Sequence, residues 1–267
     1  MNAGIVTRNN VTISGKADGQ PMLFAHGFGC DQRMWRLVAP AFESDYRVVR
    51  FDYVGLGRSD ISAFDPARYG TLEGYVQDVL EICEGIELRD AIFVGHSVSA
   101  MIGILAATRQ PAYFERLVLI GPSPRYIDDE GYSGGFTRED IDGLLDLMDR
   151  NYIGWGQVLA TTVMKNPDRP ELSEELAEVF CSTDSQIART FAKATFFADN
   201  RSDLAALKLP ALVLQCTDDS IAPDAVGQYV VEHLAAGTIR KLEATGHCPQ
   251  LSHPEETIAV MREYLAE

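Results

Sequence analysis

Short apolar runs and amphipathic stretches take turns along the first 120 residues. Strands are expected around Ile13, over Met22-Leu23-Phe24-Ala25, over Arg47 to Phe51, over Ala91 to Val94 and over Leu117 to Ile120. Between the third and fourth, Leu72, Tyr75, Val76, Val79, Leu80 and Cys83 recur at the spacing of one helical face. Such strand–helix–strand repetition predicts a parallel sheet covered by helices on both faces. From Pro122 to Leu209 the strand signal stops, although connections in such folds usually run about 2 to 6 residues. Four amphipathic stripes replace it. They run through Ile141, Leu144, Leu145 and Met148; through Trp155, Val158, Leu159, Thr162 and Val163; through Leu172, Leu176, Val179 and Phe180; and through Ile187, Phe191 and Ala194 into Phe196-Phe197. None of these helices can bury its stripe alone, so the pattern predicts a cap packed on the main body. The α/β pattern resumes with strands at Ala211 to Gln215 and Thr238 to Leu242, then a closing helix from Pro254 to Leu265. Ser252 and Glu255 have the spacing of a capping box for that helix. The expected organisation is a core of residues 1–124 and 200–267, with a helical cap over 125–199.

Composition narrows the classes. With 46% hydrophobic residues the chain can bury a sizeable core, and its formal charge of −16 repels phosphate backbones and anionic lipid headgroups. Five scattered cysteines with no C-x-x-C pair read as free thiols in a reducing compartment. No charged-then-apolar leader and no run of roughly 20 apolar residues is present. The expectation is a cytoplasmic protein that binds neither nucleic acid nor membrane.

The chemistry gathers at strand ends. In "VGHSVSA", residues 94 to 100, an apolar strand meets an apolar helix at Gly95-His96-Ser97-Val98-Ser99. This is the strand–turn–helix context of a nucleophile elbow, with Ser99 standing where a second glycine is usual. A serine hydroxyl needs a base. Of five histidines, His26 follows an early strand, His96 sits inside the elbow, His233 falls on a helix and His253 opens the last one. His247, in Gly246-His247-Cys248 past the final strand, can reach over the sheet and is the expected base. The acid that fixes its tautomer is expected at Asp219, chosen over Asp218 by the D-x-x-x-P spacing to Pro223. Glycines in His26-Gly27-Phe28-Gly29 let backbone approach the reacting centre. The N–H groups of Phe28 and Val98 are therefore the expected oxyanion donors. No G-x-G-x-x-G is completed there, no G-K-[ST] follows, and no H-E-x-x-H or Cys/His cluster occurs. No cofactor and no metal are expected.

The order Ser97, Asp219, His247, together with the stretches "FAHGFGCDQRMW", "FDYVGLGRSD", "NYIGWGQVLATTV", "ARTFAKATFF", "LQCTDDSIAP" and "GHCPQLSHPEET", resembles the α/β-hydrolase superfamily. More narrowly the chain looks like the RsbQ-like subfamily, related to the plant strigolactone and karrikin receptor hydrolases. The resemblance implies an α/β-hydrolase fold, a mostly parallel sheet with an inserted four-helix lid. It also implies Ser97 as nucleophile, Asp219 as acid, His247 as base, and Phe28 with Val98 at the oxyanion. A closed apolar pocket would be lined by Phe28, Phe136, Trp155, Phe196 and Phe197. The implied activity is hydrolysis of a small hydrophobic ester or lactone, and the implied partner is a PAS-domain phosphatase controlling a stress sigma factor. Rival readings are a ligand sensor with little turnover, or cofactor-free haloperoxidase or C–C hydrolase chemistry on the same scaffold.

Overall fold

A computed structural model describes residues 2–267. The helices are α1 (Ala3–Arg8), α2 (Pro66–Tyr69), α3 (Leu72–Gly85), α4 (Val98–Arg109), α5 (Arg138–Arg150), α6 (Tyr152–Met164), α7 (Pro170–Ser182), α8 (Ser185–Phe196), α9 (Asp224–His233), α10 (Pro249–Ser252) and α11 (Pro254–Leu265). The strands are β1 (Thr12–Gly15), β2 (Gln20–Ala25), β3 (Tyr46–Arg50), β4 (Ala91–His96), β5 (Phe114–Ile120), β6 (Ala211–Thr217) and β7 (Gly237–Thr245). They form one seven-stranded sheet in the order β1-β3-β2-β4-β5-β6-β7. Only β1 runs antiparallel, pairing with β3 at the edge. The other six are parallel, so β2, β4, β6 and β7 deliver their C-terminal ends to one side of the sheet.

Burial explains the central strands. Every residue of β4 is buried, which fits a strand covered on both faces and accounts for its unbroken apolar run. Helix α4, buried from Val98 to Ala107, lies against β4. Its Gly103 is dictated by packing, since a Cβ there would overlap the Phe93 ring of β4. Helix α3 buries Leu72, Tyr75, Val76, Val79 and Cys83 of the expected stripe and Ile82 beside it, while Leu80 is only partly buried.

Helices α5 to α8 fall on the four amphipathic stripes between β5 and β6. Helix α6 packs on α5 and α7, and α5 packs on α8. The two chain passages that lead into and out of this segment meet where Asn200 N–H donates to the Pro124 carbonyl at 2.8 Å.

The capping box expected for the last helix does not form. Residues Pro249–Ser252 make a one-turn helix of their own, so Ser252 is spent there, its hydroxyl donating to the Cys248 carbonyl at 3.2 Å. Pro254 opens α11 directly, where its missing N–H costs nothing. A capping box does occur at α5, between Thr137 and Asp140.

The packing of α4 on β4 gives a test. Gly103→Ala should destabilise the protein by about 1–3 kcal/mol, because overpacking outweighs alanine's helix advantage of about 1 kcal/mol. Urea midpoints check this: adding Phe93→Leu should recover most of the loss, and a rise in midpoint from Gly103→Ala alone would refute the close-packing account.

Candidate active site

Ser97 sits between β4 and α4 with φ 57° and ψ −125°, a backbone conformation that costs a non-glycine residue about 1–3 kcal/mol. The turn is held by Ser97 N–H donating to Ile120 O of β5 at 2.8 Å and by Ala100 N–H donating back to Ser97 O at 2.9 Å. Ser99, the departure from the usual glycine, is buried and used. Its hydroxyl donates to the His26 carbonyl and lies 2.9 Å from the Tyr53 hydroxyl, tying the helix start to the loop after β2.

The three groups singled out in the sequence meet. His247 Nε2 lies 2.8 Å from Ser97 Oγ, and His247 Nδ1 lies 2.7 Å from Asp219 Oδ2. All three side chains are buried. The second carboxylate oxygen, Asp219 Oδ1, accepts from the N–H groups of Ile221 at 2.8 Å and Ala222 at 3.1 Å, which fixes its plane. Asp218 turns away with φ 60° and pairs with Lys165 at 2.6 Å. The imidazole at 247 can thus take a proton from the serine while the carboxylate holds the opposite nitrogen protonated.

The backbone of His247 is held as well. Its N–H donates to Val163 O in α6 and its carbonyl accepts from His96 Nε2, both at 2.8 Å. Burial, reinforced by the nearby charge of His247, keeps the His96 pKa well below its ordinary value, so the ring is a neutral donor. His26, equally buried, accepts the Tyr53 N–H at 3.2 Å, and burial lowers its pKa against the opposing pull of Asp52. His233 is exposed and stacks on Tyr229, and His253 holds the N-cap position of α11.

Beside Ser97, β2 and β4 are neighbours while β3 lies on the far side of β2, so the strand order reverses here, the usual location of a ligand crevice. The glycine at 27 allows the β2 loop to close in: a Cβ there would come within 2.5 Å of His96 Nδ1. No acceptor among the described residues meets the N–H of Phe28 or of Val98. Val98 is the first residue of α4, where such groups have no partner within the helix.

A cavity of about 30 Å³ opens over Ser97 and His247. Phe28, Leu159, Val163, Phe180, Phe196 and Ile221 make it apolar, and Tyr126, Thr195, Cys30 and Cys248 complete most of the wall. Of the five expected lining residues, Phe28 and Phe196 are therefore present and three are not. Trp155 stands one layer back, edge-on to Phe28 at 6.1 Å and stacked on Tyr152 at 5.3 Å. Phe197 follows the end of α8 and lies under the Arg138 guanidinium, 4.4 Å from its ring centre. Phe136 pairs through its backbone with Ile127 in an isolated bridge. Tyr126, missed in the sequence, places its hydroxyl 3.4 Å from Ser97 Oγ. It sits in an irregular segment that no periodicity marks.

The alpha/beta hydrolase family model matches residues 22–260. The chain belongs to the alpha/beta hydrolase family. This hydrolase is 38% identical to the Petunia hybrida protein Karrikin insensitive 2 receptor CA, over 98% of this chain and 97% of that protein. It is 37% identical to the strigolactone esterase of Arabidopsis thaliana, over 96% of each chain. Among solved structures, a hydrolase from Oleispira antarctica superposes with a TM-score of 0.96 at 41% identity, covering 98% of this chain and 96% of that one. No helix among the described residues of the hydrolase is long and apolar enough to cross a membrane.

The two buried neutral histidines make stability depend on pH. Below about 6.5 the unfolded chain protonates them and the native state does not. Native stability should therefore hold above that pH and fall as acid is added, down to their depressed native pKa values. Each should contribute up to about 1.4 kcal/mol per pH unit. Urea unfolding between pH 7.5 and 5.5 measures the slope, and His96→Gln should reduce it by about one proton's worth. An unchanged slope in that variant would mean His96 titrates normally in the fold.

Proposed function

We propose that this α/β-hydrolase is a serine esterase that cleaves a small hydrophobic ester or lactone through an acyl-enzyme. One observation carries the reading: Ser97, His247 and Asp219 form a continuous hydrogen-bonded chain at the floor of an apolar cavity. His247 takes the Ser97 proton as Oγ attacks the carbonyl carbon. The Phe28 and Val98 N–H groups, free of partners among the described residues, receive the oxyanion; each such donor is worth about 3 kcal/mol. The imidazolium then returns the proton to the leaving alcohol oxygen. Water, deprotonated by the same ring, attacks the acyl carbon; the bond to Ser97 Oγ breaks, the imidazolium returns its proton to Oγ, and the acid is released. In this reading residues 125–199 act as the cap, with α6 and α8 supplying the cavity roof through Leu159, Val163 and Phe196. The limited volume favours compact substrates.

The relatives named as an esterase and as a receptor support a small-molecule ligand. The RsbQ-like resemblance adds a signalling role, in which ligand turnover in the cytoplasm is read by a PAS-domain phosphatase of a stress pathway. Ligand-dependent capture of such a phosphatase, lost in the Ser97→Ala variant, is its expected outcome. Capture that ignores ligand would count against it. Haloperoxidase or C–C hydrolase chemistry would use the same three residues, and turnover of halide with peroxide, or of a β-diketone, in preference to esters would favour those rivals.

Ser97→Ala should lower kcat on p-nitrophenyl acetate by at least about 1,000-fold, and Asp219→Asn by a comparable factor with KM little changed. Asp218→Asn should leave the rate within about twofold. Near-normal hydrolysis by Ser97→Ala would refute the esterase reading.

A further inference from the structure

The cavity roof carries a hydroxyl with nothing to bond. Thr195, on α8, is 1% exposed and lines the cavity, and its Oγ1 has no hydrogen-bond partner among the described residues. Helical threonines usually satisfy themselves by donating to the carbonyl four residues back. Others in this chain do so: Thr161 to Gln157 at 3.1 Å, Thr162 to Val158 at 3.0 Å, and Thr190 of the same helix to Gln186 at 2.9 Å. A buried hydroxyl without a partner is destabilising, and sites built to bond a substrate group keep such atoms for the ligand.

We propose that Thr195 is a specificity-determining residue of the cavity. Its hydroxyl donates to an acceptor oxygen that the substrate carries apart from the scissile carbonyl, and the preferred acyl groups are compact chains or rings containing an ether or second carbonyl oxygen. The distribution of polar atoms favours this placement. Tyr126, whose hydroxyl is 3.4 Å from Ser97 Oγ, is engaged at the reacting centre, and its ring meets Phe196 at 5.2 Å. Thr195 precedes Phe196 on α8 and makes no bond to any group of the reacting centre. Elsewhere the roof offers only hydrocarbon: Leu159, Val163 and Phe196. An oxygen in the acyl group would be stranded against them, and on the roof it gains a partner at Thr195.

The proposal rests on the esterase reading, and the test separates the two. Matched p-nitrophenyl esters differ by one CH₂-to-oxygen exchange: methoxyacetate against butyrate, and 3-methoxypropionate against valerate. The ratio of kcat/KM within each pair, compared between the wild type and a variant, cancels the intrinsic reactivity of the ester. Thr195→Val should lower the ether-to-alkyl ratio about three- to tenfold in at least one pair. Thr195→Ser should retain the wild-type ratio. Removing an unpartnered hydroxyl should leave the melting temperature equal or higher, which a merely structural role would not predict. Thr195→Ala is the companion variant, and the ratio is read from whichever of the two hydrolyses butyrate. Ratios unchanged in both pairs, including through a proportional loss on all four esters, would overturn the proposal while leaving the esterase reading intact. Hydrolysis of butyrate that survives Ser97→Ala would overturn the esterase reading itself.

Discussion

The turn at Ser97 is the constraint on which the site depends. A serine at φ 57° and ψ −125° would relax if its neighbours allowed it. They do not, because the preceding strand is buried over its whole length and the following helix is buried over its first ten residues, Val98 to Ala107. Slipping either by one residue would drive apolar side chains into the wrong layer and break the Gly103–Phe93 fit. The strain is small beside the burial that enforces it. Its consequence is a hydroxyl projected from the sheet edge, where a relaxed helix start would have turned it toward the helix's own N–H groups.

The partners reach that hydroxyl because the sheet is parallel. Asp219 follows β6 and His247 follows β7, so both loops open on the same edge as the β4 turn. Hydrogen bonds then replace freedom with position. Asp219 is held by two backbone N–H groups, and His247 by a bond at each end of its own peptide. His96 serves here as a neutral buttress, because burial disfavours its charged form and a second imidazolium beside His247 would repel it.

Most of this frame could be read from the sequence because the signals were local. Strand ends are marked by the change from apolar runs to Gly-His or Asp-Asp, and four helical stripes announce α5 to α8 at a period of 3.6. The Ser–Asp–His order needed no long-range geometry either. The cavity wall did. Whether an aromatic on a helix lines a cavity or backs one depends on rotation of that helix by a fraction of a turn, which tertiary packing sets. Trp155 is an expected lining residue and Phe180 only part of a helical stripe, yet Phe180 faces the cavity and Trp155 stands behind Phe28. Tyr126 lies in irregular chain and carried no periodic signal. The last helix start failed for a related reason, since Cys248 to Ser252 were claimed by a separate turn.

The turn from α6 into α7 is fastened to the loops that carry the triad. Val163 O receives the His247 N–H, Asn166 Nδ2 donates to Thr245 O at 3.3 Å, and Arg169 Nη1 donates to Ser252 O at 2.7 Å. Arg169 Nη2 in turn donates to Asn166 Oδ1 at 2.7 Å, and Lys165 pairs with Asp218 beside the acid. These contacts span from just before His247 to just after it. Val163 also lines the cavity, so the same turn of α6 touches both the space a ligand fills and the peptide that aims the imidazole. Rotating the C-terminal end of α6 outward would remove the Val163 acceptor and leave a buried N–H at 247 unpaired, a cost of about 1–3 kcal/mol. The position of the imidazole is thus coupled to the C-terminal end of α6 through the Val163 carbonyl.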